Sequence, residues 1–163
     1  MGSPEPSRQR LTLDANVFIA ALRRGEPHQQ DCASIIREIP KRYTLVEPSI
    51  LYQEVCGTLA RTVSLGAAES AASHLDGLLD VNFLTACDRA FCKSAYSLCS
   101  KYGIYATDAL YLKVANESGA VLVSLDKKDL VDRVRRRDAG AQVFHVSEFR
   151  PRGATDGDPN QRG

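Results

Sequence analysis

Four acidic side chains, Asp14, Glu54, Asp108 and Asp126, lie within or at the edge of apolar stretches of this sequence. Asp14 and Asp126 each follow a short hydrophobic run, whereas Glu54 and Asp108 sit on helical segments whose other residues are largely apolar. Carboxylates gathered in one cleft repel one another and resist ionising together. A hard divalent cation relieves that repulsion, and carboxylate oxygens with water are the ligands that Mg²⁺ or Mn²⁺ prefers. Two such ions about 3.5–4 Å apart activate a water and stabilise the leaving oxygen of a phosphodiester. Asp108 and Asp126 each also have a plainer reading. Asp108 can place charge in the first turn of a helix capped by Thr107, and Asp126 can cap a helix with Asp129 three positions on. The four are dispersed along the chain, so no single local cap accounts for them all.

The elements that must position these acids are legible from periodicity. Residues 104–130 organise the chain as helix, Gly119 break, strand and second helix. Ala106, Ala109, Leu110, Leu112, Val114 and Ala115 make the helix apolar on nearly every side, as a deeply placed helix requires. The run Ala120, Val121, Leu122, Val123 reads as a strand buried on both faces. Asp126 then falls just past its carboxyl end, where open parallel sheets bind ligands.

Upstream, a strand over 10–13 leads into Asp14 and a helix ending near Arg23 and Arg24. A helix over 28–39 stops at Pro40. A second strand spans 43–46, and Pro48 opens a long helix to about residue 63 with Glu54 at the edge of its apolar face. Further expectations are a helix over 67–79, a strand over 81–84, a helix over 88–101, a charged helix over 127–137 and a last strand over 142–146. Strands alternating with helices predict an α/β domain with a parallel sheet covered on both faces.

The 163 residues suit one domain with a substantial core. Net charge is +1, so any basic binding surface must be local. Cys32, Cys56, Cys87, Cys92 and Cys99 are odd in number and lack CxxC pairing, which reads as reduced thiols of a cytoplasmic protein. No apolar run approaches a membrane span and no signal peptide is evident. Residues 1–9 read as an expression scar or disordered start, 10–149 as the domain, and 150–163 as a flexible tail with no apolar content to bury.

The segments LTLDANVFIAAL, PSILYQEVCGTL, YATDALYLKVA and VLVSLDKKDL resemble, in order and context, the PIN-domain nucleases, above all the VapC-type ribonuclease toxins of bacterial toxin–antitoxin pairs. The likeness covers about residues 11–149. It implies a three-layer α/β/α fold around a short-stranded, mainly parallel sheet. It also implies metal binding by Asp14, Glu54, Asp108 and Asp126, with Asn16 and Ser124 orienting them. The implied activity is Mg²⁺- or Mn²⁺-dependent endoribonuclease chemistry leaving 5′-phosphate and 3′-hydroxyl ends. The implied partners are RNA, an antitoxin lying in a groove between the early helices, and a second copy in a homodimer. Ser124 stands where the family often has Thr, which keeps the hydroxyl.

Arg23 and Arg24, just after the helix that Asp14 opens, are candidate RNA contacts. The cluster Lys127, Lys128, Arg133, Arg135, Arg136, Arg137 is another, although Asp129–Arg133 and Asp132–Arg136 pairs at i,i+4 would neutralise much of it. Tyr43, Tyr52, Tyr102, Tyr105 and Tyr111 are candidate stacking residues or core-edge residues. A phosphatase of the haloacid dehalogenase type also begins with strand and Asp but needs a second Asp where Asn16 stands. A phosphoreceiver domain needs clustered N-terminal acids and a late Lys. A non-catalytic PIN-like scaffold binding RNA or protein is the remaining alternative.

Overall fold

The computed structural model describes residues 8–150; the expectations for residues 1–7 and 151–163 lie outside the described residues. In chain order the elements are β1 (Gln9–Leu13), α1 (Ala15–Leu22), α2 (Gln29–Arg42), β2 (Tyr43–Leu45), β3 (Glu47–Pro48), α3 (Ile50–Thr62), α4 (Leu65–Leu78), β4 (Leu84–Thr85), α5 (Arg89–Tyr102), α6 (Ala106–Ser118), β5 (Val121–Ser124), α7 (Asp132–Arg137) and β6 (Val143–His145). The central sheet has spatial order β2-β1-β5-β6, and every pairing in it is parallel.

All four residues of β5 are buried, and so are Leu11, Thr12 and Leu13 of β1. Strands buried on both faces require helices on both faces, which gives the layered α/β arrangement its apolar β-branched and leucine runs. Burying side chains such as Leu11, Leu13, Leu122 and Val123 stabilises the fold by about 1.5–3 kcal/mol each. Helix α6 packs against this sheet, with Ala109, Tyr111, Leu112, Val114 and Ala115 all buried. Gly119 ends it at φ 63°, a conformation that glycine adopts without strain, and the chain turns directly into β5.

Several boundaries differ from expectation for physical reasons. Pro40 does not stop α2 but lies in its last turn, where one missing N–H costs the helix only a terminal bond. Pro48 does not open α3. Residues 47–48 pair with 84–85 in a separate two-stranded sheet, and Ser49 N–H donates to the Thr85 carbonyl before the helix begins at Ile50. The strand expected over 81–84 shrinks to β4, because Asp80 caps a tight turn over Val81–Phe83 and leaves Val81 80% exposed. The charged helix over 127–137 starts as a wide turn, Lys127–Val131, capped by Asp126, and becomes α-helical only at Asp132.

Glu47 is an acid that the sequence reading passed over. β2 leaves β1 after Val46 N–H bonds the Leu11 carbonyl, so Leu13 N–H would lose its ladder partner. Glu47 Oε1 supplies the acceptor at 2.7 Å. The side chain is fully buried, and its Oε2 has no hydrogen-bond partner among the described residues. Burial, reinforced by Asp14, pushes this carboxyl well above its usual range. Glu47→Gln keeps the acceptor and removes the buried charge, so its melting temperature is expected to exceed that of the parent by a margin that widens as pH rises. Glu47→Ala leaves Leu13 N–H unpaired and is expected to cost about 1–3 kcal/mol in denaturant titration. A Gln variant melting below the parent at every pH would contradict this account.

Candidate active site

In the sheet order, the chain steps from β1 outward to β2 in one direction and from β1 to β5 and β6 in the other. The crevice beyond the carboxyl ends of β1 and β5 is therefore a topological switch point, where open α/β sheets bind ligands. Asp14 is the first residue after β1, and Asp126 is the second after β5. Asp14 N–H donates to the Val123 carbonyl at 3.0 Å, which locks the two strand ends side by side.

A polar network fixes Asp14. Ser124 Oγ donates to its Oδ2 at 2.6 Å and Asn16 Nδ2 donates to the same oxygen at 2.7 Å. Asn16 Oδ1 in turn accepts from Leu125 N–H, and Ser124 Oγ accepts from Asp126 N–H. Asn16 and Ser124 thus tie the Asp14 carboxylate to the backbone of Leu125 and Asp126 beyond the end of β5. Asp14 is only 7% exposed. Burial pushes its carboxyl up to about 6, against the lowering effect of the Ser124 and Asn16 bonds and with further upward pressure from Glu54 and Asp126. The plainer capping roles hold as well: Asp14 caps α1, and Asp126 Oδ1 accepts from Asp129 N–H at 2.8 Å.

Asp108 is the third residue of α6, whose cap position is Tyr105 and not Thr107. Burial raises its carboxyl to about 7, with Asp14, Asp126 and Glu54 adding to the rise. Its Oδ2 is buried without a hydrogen-bond partner among the described residues. Glu54, half-buried on α3, accepts from the Tyr111 hydroxyl at 2.6 Å. Of the stacking and core-edge alternatives for Tyr111, burial decides for the core edge. It is 1% exposed, and burial beside Glu54 holds its hydroxyl proton firmly. The missed signal was its position three residues after Asp108, which puts both on one face of α6. Tyr111→Phe is expected to leave the fold intact while freeing Glu54, lowering kcat/KM about tenfold for a lost charge-assisted bond. Circular dichroism and steady-state rates together check it, and an unchanged kcat/KM would remove Tyr111 from the site.

Asp14 and Asp108 are thus both raised by the other acids as well as by burial. Their donor chemistry fits a hard divalent cation: oxygen ligands, two raised carboxyls and one orphaned buried oxygen. Among the described residues, however, no three Asp, Glu, His or Cys side chains are close enough to grip one ion as they stand. Each of three acids is held by a protein donor, Asp14 by Ser124 and Asn16, Glu54 by Tyr111, and Asp126 by the Asp129 backbone.

The basic residues divide. Arg23 and Arg24 follow the far end of α1, roughly 12 Å along the helix from Asp14 at 1.5 Å per residue. Arg23 is paired with Glu26 at 3.0 Å. The structure does not bring either to the acids. Lys127 and Arg135 are both bound to Glu148. Arg133 pairs with Asp129 as expected, but Arg136 donates to the Asp132 backbone carbonyl and not to its carboxylate. Of the five candidate stacking tyrosines, Tyr43, Tyr102 and Tyr111 are buried, Tyr52 is bound to Asp76, and Tyr105 is 61% exposed.

The protein is an α/β domain with helices packed around a parallel sheet and with Asp14 and Asp126 following its two central strands. The PIN domain family matches residues 11–136. The chain belongs to that family. Among solved structures, VapC20 of Mycobacterium tuberculosis, a sarcin–ricin-loop-cleaving toxin, aligns at TM-score 0.61 and 13% identity over 75% of this chain and 94% of that one. FitAcB of Neisseria gonorrhoeae aligns at 0.60 and 15%, covering 85% and 99%. A toxin–antitoxin complex from Klebsiella pneumoniae aligns at 0.59 and 16%, covering 85% and 99%. At these identities the likeness is one of fold. No curated protein matches the chain.

Proposed function

We propose that this PIN domain is a divalent-metal-dependent endoribonuclease, the toxin of a toxin–antitoxin pair. The observation that carries the reading is the Ser124 Oγ bridge between the Asp14 carboxylate and the Asp126 backbone at the switch point, together with the buried, unpartnered Asp108 oxygen. Asp14, Glu54, Asp108 and Asp126 would hold Mg²⁺ or Mn²⁺. Such an ion, when bound, supplies Lewis acidity toward phosphoryl oxygen and a water of lowered pKa. Asn16 and Ser124 hold Asp14 by Oδ2, leaving Oδ1 only a 3.4 Å bond from Asn16 N–H, and Tyr111 holds Glu54 by Oε2. The raised carboxyls of Asp14 and Asp108 put them near neutral pH, where an acid also accepts a proton during water attack.

An antitoxin segment would dock in the apolar groove between α1, α2 and α4, lined by Phe18, Leu22, Ala33, Ile36, Ala71 and Leu75, with Leu22 44% exposed. We assign the protein to the cytoplasm, whose reducing potential suits five free cysteines, and to a homodimer on the family resemblance. No helix of the described residues is long and apolar enough to cross a membrane. The test is a 5′-labelled structured RNA with Mg²⁺ or Mn²⁺, with and without chelator. Metal-dependent cleavage leaving 5′-phosphate and 3′-hydroxyl ends is expected. RNA binding without cleavage under every metal would make the chain a PIN-like scaffold instead.

A further inference from the structure

A chain of hydrogen bonds runs from Asp126 to the loop that precedes Tyr105. Asp126 Oδ1 accepts from Asp129 N–H, and the Asp129 carboxylate accepts from Arg133. Arg133 also donates to the Gly103 carbonyl, two residues before the exposed Tyr105. Tyr105 in turn is the cap residue of α6, the helix that carries Asp108 in its first turn. Arg133, Arg136 and Arg137 line, with Tyr102 and Gly103, a depression of about 460 Å³ at the seam of α5 and α7. Part of this cluster is structural, because Arg133 and Arg137 donate to the Gly103 and Lys101 carbonyls at the end of α5. That role leaves charge over. Among the described residues neither Arg136 nor Arg137 pairs with a carboxylate, and each gives only one hydrogen bond, to a backbone carbonyl.

We propose that a single-stranded RNA leaves the acidic centre across these residues, with a base stacked on Tyr105 and the following phosphates in the arginine-lined seam. The inference rests on the ribonuclease reading and names the path of its substrate. Guanidinium groups with free donors recognise phosphate oxygens by forked hydrogen bonds. An exposed aromatic ring beside them adds a face on which any base stacks. A duplex keeps its base faces covered by their neighbours, so the Tyr105 contact selects an unpaired strand or loop.

The experiment is fluorescence anisotropy of a labelled RNA about a dozen nucleotides long, single-stranded or annealed, in chelator so that the strand stays intact. Wild type is expected to bind the single strand at least about tenfold more tightly than the duplex. Tyr105→Ala is expected to weaken single-strand binding roughly tenfold without altering its salt dependence, and Tyr105→Phe to restore it. Arg136→Gln with Arg137→Gln is expected to weaken binding to all sequences and to reduce the salt slope by about one. If the double variant loses its thermal transition, Arg136→Gln alone carries the test, since its recorded bond is within its own helix. Unchanged affinity in these variants, with wild-type binding intact, overturns the path and leaves the nuclease reading standing. Equal affinity for the duplex overturns the stacking contact. A wild-type protein that binds no RNA overturns both readings.

Discussion

Asp14→Asn is expected to abolish RNA cleavage while leaving the fold and the RNA affinity in place. Asparagine keeps the shape and can present its carbonyl oxygen where Asp14 Oδ2 accepts from Ser124 Oγ and Asn16 Nδ2. In that orientation its amide group faces Asn16 N–H, so the contact it gives up is the long 3.4 Å cap bond at Oδ1. What disappears is the negative charge that a cation needs, at the acid most firmly fixed by its neighbours. Losing one preorganised electrostatic element at a reacting centre costs about 10²–10³ in rate, and losing a metal ligand removes the chemistry that depends on the ion. A fall in kcat/KM of at least about a thousandfold is therefore the expected result. Affinity measured in chelator should be unchanged or slightly tighter, because phosphates meet arginines and one repelling carboxylate is gone. Cleavage that persists in chelator, or 2′,3′-cyclic phosphate ends, would mean that the 2′-hydroxyl is the nucleophile, and the carboxylate–metal reading would fall.

The strand-end acids were legible because a buried parallel strand needs an unbroken aliphatic run, so an Asp just after Leu13 or just past Ser124 stands out against it. Helix α6 was legible for the same reason, its apolar residues leaving Asp108 as the exception at its start. Glu47 was not legible. Proline two residues before a helix reads as part of that helix, and only the divergence of β2 from β1 creates the unpaired Leu13 N–H that an acid must meet. Two-residue strands such as β3 and β4 are too short to show an alternating pattern. Tyr111 shows the limit at the site itself: its spacing from Asp108 gave its face, but its hydroxyl partner comes from α3, a contact between distant segments. The arginine cluster showed its charge in the sequence and not its balance, since Arg136 chose a backbone carbonyl over the carboxylate one turn away.

The unliganded protein is expected to lose stability as pH rises from about 4 to about 7, and divalent cation to restore it. In the folded state Asp14 is raised from 3.8 to about 6 and Asp108 from 3.8 to about 7, so across that window the folded protein binds more protons than the unfolded chain. Unfolding free energy then falls with rising pH and levels off once both groups are ionised in both states. A shift of about two units at Asp14 corresponds to about 3 kcal/mol, and for a protein of this size each kcal/mol moves Tm by about 2–4 °C. Asp108, partly open to water, adds less than its larger shift alone would give. Glu47 is also raised and slopes the same way, so Glu47→Gln is the background in which to isolate the pair. His145, held below its usual value by burial and by His28, slopes the opposite way near 6.5. Glu148, held down to about 2 by Lys127 and Arg135, loses its contribution only below about 4, outside the window. Mn²⁺ at about a hundredfold over its Kd adds about 2.7 kcal/mol by binding the folded state alone. Because bound protons compete for the same oxygens, the Mn²⁺ shift should be larger at pH 8 than at pH 5.5. Asp108→Asn should raise the metal-free Tm at pH 8, flatten the pH profile and blunt the Mn²⁺ shift together, since one carboxylate underlies all three. Scanning calorimetry across pH 4–8 with and without Mn²⁺ reads all of them. A flat metal-free profile, or an undiminished Mn²⁺ shift in Asp108→Asn, would separate Asp108 from the cation site.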